Sequence, residues 1–321
     1  MENIQGRESA GLPKAAPPRS PKGSQKTVVR FFKKNGAGFV FALPVTLGLL
    51  FFTAYPLLAS LYYSFFEVYT VIRPPEGFSL TFNLTKMFSD LEWVKAVANT
   101  GIYTLISVPM FMVLSFSLAL FLNLKVKGIG VYRMLMYMPC VMSAVVSGIA
   151  WRSLIDVDYG WFNRIIRMIG LEPYSFLNEA ATSMPTLIFV GLWGLGGPMI
   201  LWLSQLKNIS AELYEAASLD GASAWQKFRY ITLPALRPTF NYVVIFGLIG
   251  SFQVFDQVFI LTSGGPARST ETIVYRIYTE AFGNGKLGYA SALSYVLLIM
   301  TLIVGLIQLY TNNKHEKEEI A

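Results

Sequence analysis

Apolar residues in this chain fall into long runs at roughly 37–66, 96–124, 129–155, 184–206, 239–262 and 289–312, separated by polar stretches. Each run reaches the ~20 residues an α-helix needs to cross a bilayer. Gly, Pro and Ser interrupt several of them, as membrane helices tolerate. The pattern predicts an all-α membrane protein with six transmembrane helices over 37–312, a basic N-terminal segment 1–36 and a short tail 313–321. Residues 1–25 carry Pro13, Pro17, Pro18 and Pro21 among Ser, Gly and Lys without apolar periodicity, and are expected to be disordered. The stretch KTVVRFFKK at 26–34 reads as a basic interfacial collar. The run after it is too long for a signal-peptide core and lacks a small-residue cleavage site, so it is expected to remain as the first helix. In the last run, Gly288 with Ala292, and Ser291 beside Tyr295, suit close helix packing.

Composition agrees. The 321 residues are 54% hydrophobic and 14% charged, well under the quarter of charged residues in soluble domains. The net charge of +7 does not point to nucleic acid, because 8 of the 26 Lys and Arg lie in 1–36, ahead of the first run. With the N-terminus inside, the inner pieces hold 17 Lys and Arg against 9 outside, and the acidic residues divide 8 against 11. Both termini and the stretch 207–238 are therefore expected on the cytoplasmic side. The single Cys140 can form no internal disulfide, and the single His315 lies in the tail, which argues against a His-clustered metal site or His-based catalysis.

The most informative polar stretch is 211–238, AELYEAASLDGASAWQKFRYITLPALRP. Glu215, Ala216 and Ala217 favour a helix. Asp220-Gly221 is a turn pair, because Gly accepts the positive φ of a sharp reversal. A second helix is expected from Ala222 to Thr232, with Pro234 and Pro238 marking where it ends or kinks. The stretch thus predicts a helix-turn-helix on one side of the membrane.

Glu215-Ala216-Ala217, three residues, Gly221, nine residues, then Ile231-x-Leu233-Pro234 resembles the signature loop of binding-protein-dependent ABC importer permeases. Leu261-Thr262-Ser263-Gly264-Gly265-Pro266, with Ser269-Thr270-Glu271-Thr272, is similar to the sugar branch of that family, of the maltose and glycerol-phosphate type. The resemblance covers 37–312. It implies the type I ABC importer permease fold in a bacterial cytoplasmic membrane, with a cytoplasmic coupling loop. Its implied partners are a second homologous permease, separate ATP-binding cassette subunits that hold ATP and Mg, and an extracytoplasmic sugar-binding protein meeting segments 67–95 and 156–183. Within those segments Trp93, Tyr159, Trp161 and Phe176 are read equally well as interfacial aromatics. The resemblance also assigns Glu215, Ala216, Ala217, Asp220, Gly221 and Ala222 to coupling with the ATPase. Small side chains there permit close approach, and Glu215 and Asp220 are available to pair with basic groups.

No stretch matches G-x-x-x-x-G-K-[ST]; Gly283-Asn284-Gly285-Lys286-Leu287 lacks both spacing and hydroxyl. No cofactor is expected in this chain, and its energy must come from a partner or an ion gradient. An ion-coupled secondary transporter is the alternative, disfavoured because the runs lack centrally placed ionisable residues. For substrate contacts, Trp193-Gly194-Leu195-Gly196-Gly197-Pro198 interrupts the fourth run, and Gln253 and Asp256 lie in the fifth. If both helices are regular, Trp193 sits about 21 Å from the Lys207 end, and Gln253 about 22 Å and Asp256 about 27 Å from the Pro238 end. Trp193, Gly194, Gly197, Gln253 and Asp256 are the candidates: a flat apolar face for a pyranose, exposed backbone, and paired donors and acceptors. Packing notches and interhelical hydrogen bonds are the competing explanation. Arg152 either answers a phosphate or anchors its helix.

Overall fold

The computed structural model describes residues 38, 40–70, 72–124 and 126–320, the side chains of 68 and 312–320 excepted. The expectations for residues 1–36 lie outside the described residues. The chain divides into two units, residues up to Ala59 and residues from Ser60 onward. Among the described residues, three helices are long and apolar enough to cross a membrane: α1 Val40–Tyr63, α3 Leu91–Leu122 and the last helix, α13, whose apolar part is Leu287–Thr311. Three pairs pass only together, each bent at a short break: α4 Ile129–Val141 with α5 Ala144–Leu154, α7 Ala180–Gly194 with α8 Gly196–Asn208, and α10 Ala224–Ala235 with α11 Arg237–Phe252. Counting each pair as one span gives six.

The breaks have local causes. The run at 129–155, expected as one helix, turns by 102° between α4 and α5. Pro139 occupies the last turn of α4, Met142 is extended, and the Ser143 hydroxyl caps α5 by accepting from the Val146 N–H at 3.4 Å. The fourth run bends by 45° through a 3₁₀ turn, Leu192–Gly194, at the interruption read from its glycines. The fifth run ends as an α-helix at Phe252 rather than continuing to 262, and chain beyond it re-forms as a π-helical turn, Val258–Thr262. Helical rise therefore cannot be extrapolated past Gln253, which removes the basis for placing Asp256 about 27 Å along one helix.

Pro234 lies one residue before the end of α10 at Ala235, where the chain bends by 60° into α11, as expected of an end or kink there. The turn before Pro234 opens into a π-helix, Phe228–Thr232, with the Leu233 N–H bonding the Phe228 carbonyl. In the first unit the same device precedes Pro56, with π-helix Leu50–Ala54 and the Tyr55 N–H on the Leu50 carbonyl. A proline ring collides with the carbonyl four residues back and supplies no N–H, so widening the turn by one residue relieves both defects without breaking the helix.

In the second unit α3 carries the packing along its 32 residues, about 48 Å of helix. At its start, Trp93 packs with Met87, Ile273, Tyr289, Leu293 and Leu297. Midway, Tyr103 joins a cluster with Trp151, Leu187, Ile188, Val258 and Leu261. Near its end, Ala119 and Leu122 meet Met199, Trp202, Leu206 and Leu236. The helix begins at Leu91, five residues before the apolar run, because Asp90 caps it by accepting from the Glu92 and Trp93 N–H groups. That early start buries Trp93 to 4% exposure, so it is a core residue and not a surface aromatic. Around it, the short antiparallel pair β1 Phe66–Val68 and β2 Glu76–Phe78, helix α2 Phe82–Ser89, helix α6 Trp161–Met168 and helix α12 Ile273–Tyr278 fill the connecting segments at that end. Gly288 is a packing notch, since a Cβ there would lie 2.7 Å from the Phe66 carbonyl oxygen. Backbone helix in α13 continues to Ile320, past the expected boundary at 312.

Candidate functional site

The polar stretch at the α3 C-terminal end is built as two short helices joined by a tight turn. Helix α9, Ala211–Leu219, starts where the Ser210 hydroxyl accepts from the Glu212 N–H at 3.2 Å. It ends where Gly221 takes a left-handed conformation, φ +78°. The Ala222 N–H then reaches back to the Ala217 carbonyl at 2.9 Å and the Gly221 N–H to Ser218 at 3.2 Å, closing the orphan carbonyls of the last turn. The second helix begins at Ala224 rather than Ala222. Ser223 and Gln226 form a reciprocal capping box, with bonds of 3.3 and 2.7 Å, and this fixes the start two residues later. The two helices are tied by Lys227 Nζ donating to Ser218 Oγ at 2.6 Å, and by a 2.8 Å bond between the Tyr214 and Thr232 hydroxyls.

What this clamp presents outward is distinctive. Glu215, Ala216, Asp220 and Gly221 are exposed and Ala217 and Ala222 half-buried. Among the described residues, neither Glu215 nor Asp220 forms an ion pair. Leu219 is 90% exposed, and Trp225 and Tyr230 also point their apolar surface away from the protein. A capped, cross-braced turn that exposes large apolar side chains beside uncommitted carboxylates is suited to being gripped by another protein.

The substrate candidates are not brought together. Trp193 sits in the 3₁₀ turn, edge-on to Trp151 at 5.4 Å, and lines an apolar cavity of about 400 Å³ with Trp151, Trp161 and Phe162. The Gly194 carbonyl accepts from the Cys140 thiol at 3.4 Å, and Cys140 Sγ lies 3.9 Å from where a Gly197 Cβ would be. Gly196, read from the sequence together with Gly197 as a point where a ligand could approach backbone, is instead a close approach within the protein: a Cβ there would fall on the Met136 carbonyl oxygen and 2.9 Å from Tyr137 Cα. Gln253 caps the C-terminus of α11, its N–H shared between the Ile249 and Gly250 carbonyls, and its side chain is exposed, as is that of Asp256. The two interrupted regions do meet, but through neighbours of the named residues. Gly191 and Leu192 face Gly250 and Ser251 across a cavity of about 230 Å³ that Tyr103 and Ser107 also line. The Tyr103 hydroxyl donates to Gln257 Oε1 at 3.4 Å, so Gln257 takes the inward position expected of Gln253.

The opposite end holds a buried ionic cluster that the hydropathy pattern does not reveal. Arg276, 5% exposed, reaches Asp90 at 3.1 Å, Glu280 at 2.8 Å and Glu271 at 3.5 Å, and also pairs with Glu92. Arg268 pairs with Glu92 and, at 3.6 Å, with Glu271, while Lys286 lies 3.5 Å from Glu280. The Tyr289 hydroxyl donates to Asp90 at 2.8 Å. Burial alone would raise the Asp90 pKa, but the Tyr289 and Trp93 donors and the Arg276 charge together hold it below the usual aspartate value. The one sequence signal was the spacing of Arg276 and Glu280, which places them on one helical face. Beside the cluster, the 261–272 segment forms a rigid loop. Ser263, Ala267 and Arg268 are left-handed without being glycine. The Thr270 hydroxyl, wholly buried, bonds Thr262 Oγ1 at 2.8 Å and the Gly265 carbonyl at 2.7 Å, and the Asn99 amide holds the Arg268 and Glu271 carbonyls at 2.9 Å each.

Comparison with known proteins places this architecture. Residues 84–315 match the family described as binding-protein-dependent transport system inner membrane component. The lactose transport system permease protein LacF of Rhizobium radiobacter is 33% identical over 294 residues, 89% of this chain and 97% of that protein. The arabinooligosaccharides transport system permease protein AraP of Bacillus subtilis is 30% identical over 292 residues, 90% of this chain and 92% of that protein. A crystal structure of a bacterial ABC transporter involved in the import of the acidic polysaccharide alginate shares the fold, with a TM-score of 0.79 over 90% of this chain and 99% of that one, at 21% identity. Helices able to span a membrane, a braced polar turn at one end and a match over most of the length lead to one conclusion: the chain belongs to the family of inner membrane components of binding-protein-dependent transport systems.

Proposed function

We propose that this protein is one membrane subunit of an ATP-driven, binding-protein-dependent carbohydrate importer, and that the Ser210–Arg237 turn is where it engages a separate ATPase subunit. The observation that carries this reading is the turn itself. It is capped at both helix ends and cross-braced by the Lys227–Ser218 and Tyr214–Thr232 bonds, yet exposes Leu219 and Trp225. A rigid element transmits a push; a floppy one absorbs it. Closure of an ATPase dimer gripping α9 would move α10, which passes through the π turn without a break into Pro234 and meets α11 at 60°. The motion thus reaches the cavity between α3, α7 and α11 through packed helices. The names of the relatives, for lactose and for arabinooligosaccharides, support carbohydrate as the cargo, and family membership favours an ATPase over an ion gradient as the energy source. On this reading the turn and both termini face the cytoplasm, in agreement with the Lys and Arg distribution. A second, homologous permease completes the pathway, and a binding protein delivers substrate at the other face.

The test is Gly221→Pro in the reconstituted complex. Proline holds φ near −65°, whereas the turn requires +78°. The variant is expected to insert and assemble with its partner permease but to lose binding-protein-stimulated ATP hydrolysis. Gly221→Asn, which tolerates the left-handed region, should retain it. Normal stimulation in the proline variant would refute the coupling role.

A further inference from the structure

The sugar-branch motif Leu261-Thr262-Ser263-Gly264-Gly265-Pro266 is not used by the coupling turn or by the cavity beside Tyr103. It forms one wall of a cleft of about 370 Å³, within the range of roughly 300–1,000 Å³ typical of small-molecule sites. Arg152, from the last turn of α5, Asp156, from the loop after it, and Asn178, from the segment before α7, form the other walls, with Thr262, Ser263 and Gly265 opposite. The cleft lies at the end of the second unit away from the coupling turn. The Lys95 and Asn99 side chains near the start of α3 hold the Ala267 and Arg268 carbonyls of the motif loop, whereas Leu236 of the coupling stretch packs by Leu122 at the end of α3.

Three features separate this cleft from the others. Its lining is mainly polar, whereas the cavity beside Trp193 is apolar. Two of its polar side chains keep unused capacity: among the described residues Arg152 makes one hydrogen bond, from Nη1 to the Ile260 carbonyl at 3.3 Å, and the exposed Asn178 amide makes none, whereas Asp156, Thr262 and Ser263 are bonded within the protein. Its walls are nonetheless fixed. Asp156 Oδ1 accepts from the Asp158 and Tyr159 N–H groups at 2.9 and 3.2 Å, the Asn163 amide donates to the Asp156 carbonyl at 3.0 Å, and Thr270 braces the motif loop from behind. Preorganised walls bearing unused donors and acceptors bind a ligand without an ordering cost.

We propose that this cleft is a saccharide subsite at the outer mouth of the permease, and that its charge balance selects a neutral sugar over a phosphorylated or acidic one. This rests on the carbohydrate-importer reading and deepens it. Arg152 alone would suit an anion, but Asp156 faces the same space with the opposite charge. The pair is net neutral, and the carboxylate repels an incoming phosphate or uronate. Vicinal hydroxyls, each both donor and acceptor, satisfy guanidinium, carboxylate and amide together. The subsite takes up a sugar unit released at this face before it enters the cavity lined by Tyr103.

The experiment uses the assembled complex in nanodiscs. An uptake panel of lactose, maltose, arabinotriose and glycerol 3-phosphate in proteoliposomes, with the binding protein present, first identifies which probe is carried. Saturation-transfer NMR then measures binding of that probe to the complex with the binding protein omitted. The expected result is transfer to a neutral saccharide, with the dissociation constant raised about tenfold in Arg152→Gln through loss of a charge-assisted bond. Asn178→Ala, which removes no bond within the protein, should weaken binding several-fold and confirm that folding is not the cause. Undiminished transfer in both variants, no transfer in a complex that imports the sugar, or transfer confined to glycerol 3-phosphate overturns the subsite and leaves the importer reading standing. A wild-type complex that carries nothing in the panel overturns both.

Discussion

Replacing Arg276 by Met tests how α12 is held to the start of α3. The guanidinium, with its side chain 6% exposed, is shared by Asp90, Glu92, Glu271 and Glu280, drawn from the start of α3 and from the two ends of α12. Removing it leaves Glu271 and Glu280, with side chains 6% and 3% exposed, buried with fewer counter-charges. Breaking a buried pair by deleting one partner costs about 3–5 kcal/mol. Arg268 still stands 3.6 Å from Glu271 and Lys286 3.5 Å from Glu280, so the low end, about 3 kcal/mol, is expected. That corresponds to a rise of roughly 100-fold in amide exchange for the segment through α12, if its opening is local. Hydrogen–deuterium exchange of the purified protein should show it there and leave α8 unchanged. Adding Glu280→Gln to the Met variant should recover about 1–2 kcal/mol, because one stranded charge is removed. Exchange in the Met variant within about threefold of wild type, or strictly additive substitutions, would refute the view that this cluster holds α12 to α3.

Further expectations follow from single contacts. Gly196→Ala should destabilise by about 1–3 kcal/mol in denaturant unfolding, since its methyl would meet the backbone of Met136 and Tyr137, which cannot rotate away. Asp90 has a lowered pKa in the folded protein, so its contribution is complete above the ordinary aspartate value and is lost as pH falls through the lower folded value. Asp90→Asn should therefore flatten the acid limb of a stability–pH profile and leave the neutral region parallel to wild type. Pro234→Ala should let the π turn at Phe228–Thr232 relax towards α geometry, rotating the exposed face of α10 and lowering ATPase coupling without loss of expression.

The sequence alone determined the class of the molecule. Long apolar runs admit no soluble solution, because backbone N–H and C=O groups in lipid must be bonded within a helix. It also determined the reversal at Gly221 between two short helices, since a turn pair acts over a few residues and depends on nothing distant, although the Ser223–Gln226 capping box moved the start of the second helix from Ala222 to Ala224. The fourth-run break was legible for the same reason, from its glycines and proline. What the sequence left open depends on tertiary placement. Hydropathy does not distinguish one helix of 129–155 from two meeting at 102°, because the run is equally apolar either way. A proline signals a helix end or kink, but the pattern does not show that the turn before Pro234 widens to accommodate its ring, as the turn before Pro56 also does. Trp93 reads as a surface aromatic until Asp90 starts the helix early and turns it inward. Which glutamine faces Tyr103 depended on where α11 stopped, and a shift of a few residues past its end exchanged Gln253 for Gln257. Arg276 and its carboxylates are spread from Asp90 to Glu280, a separation over which only the folded chain brings opposite charges within 4 Å.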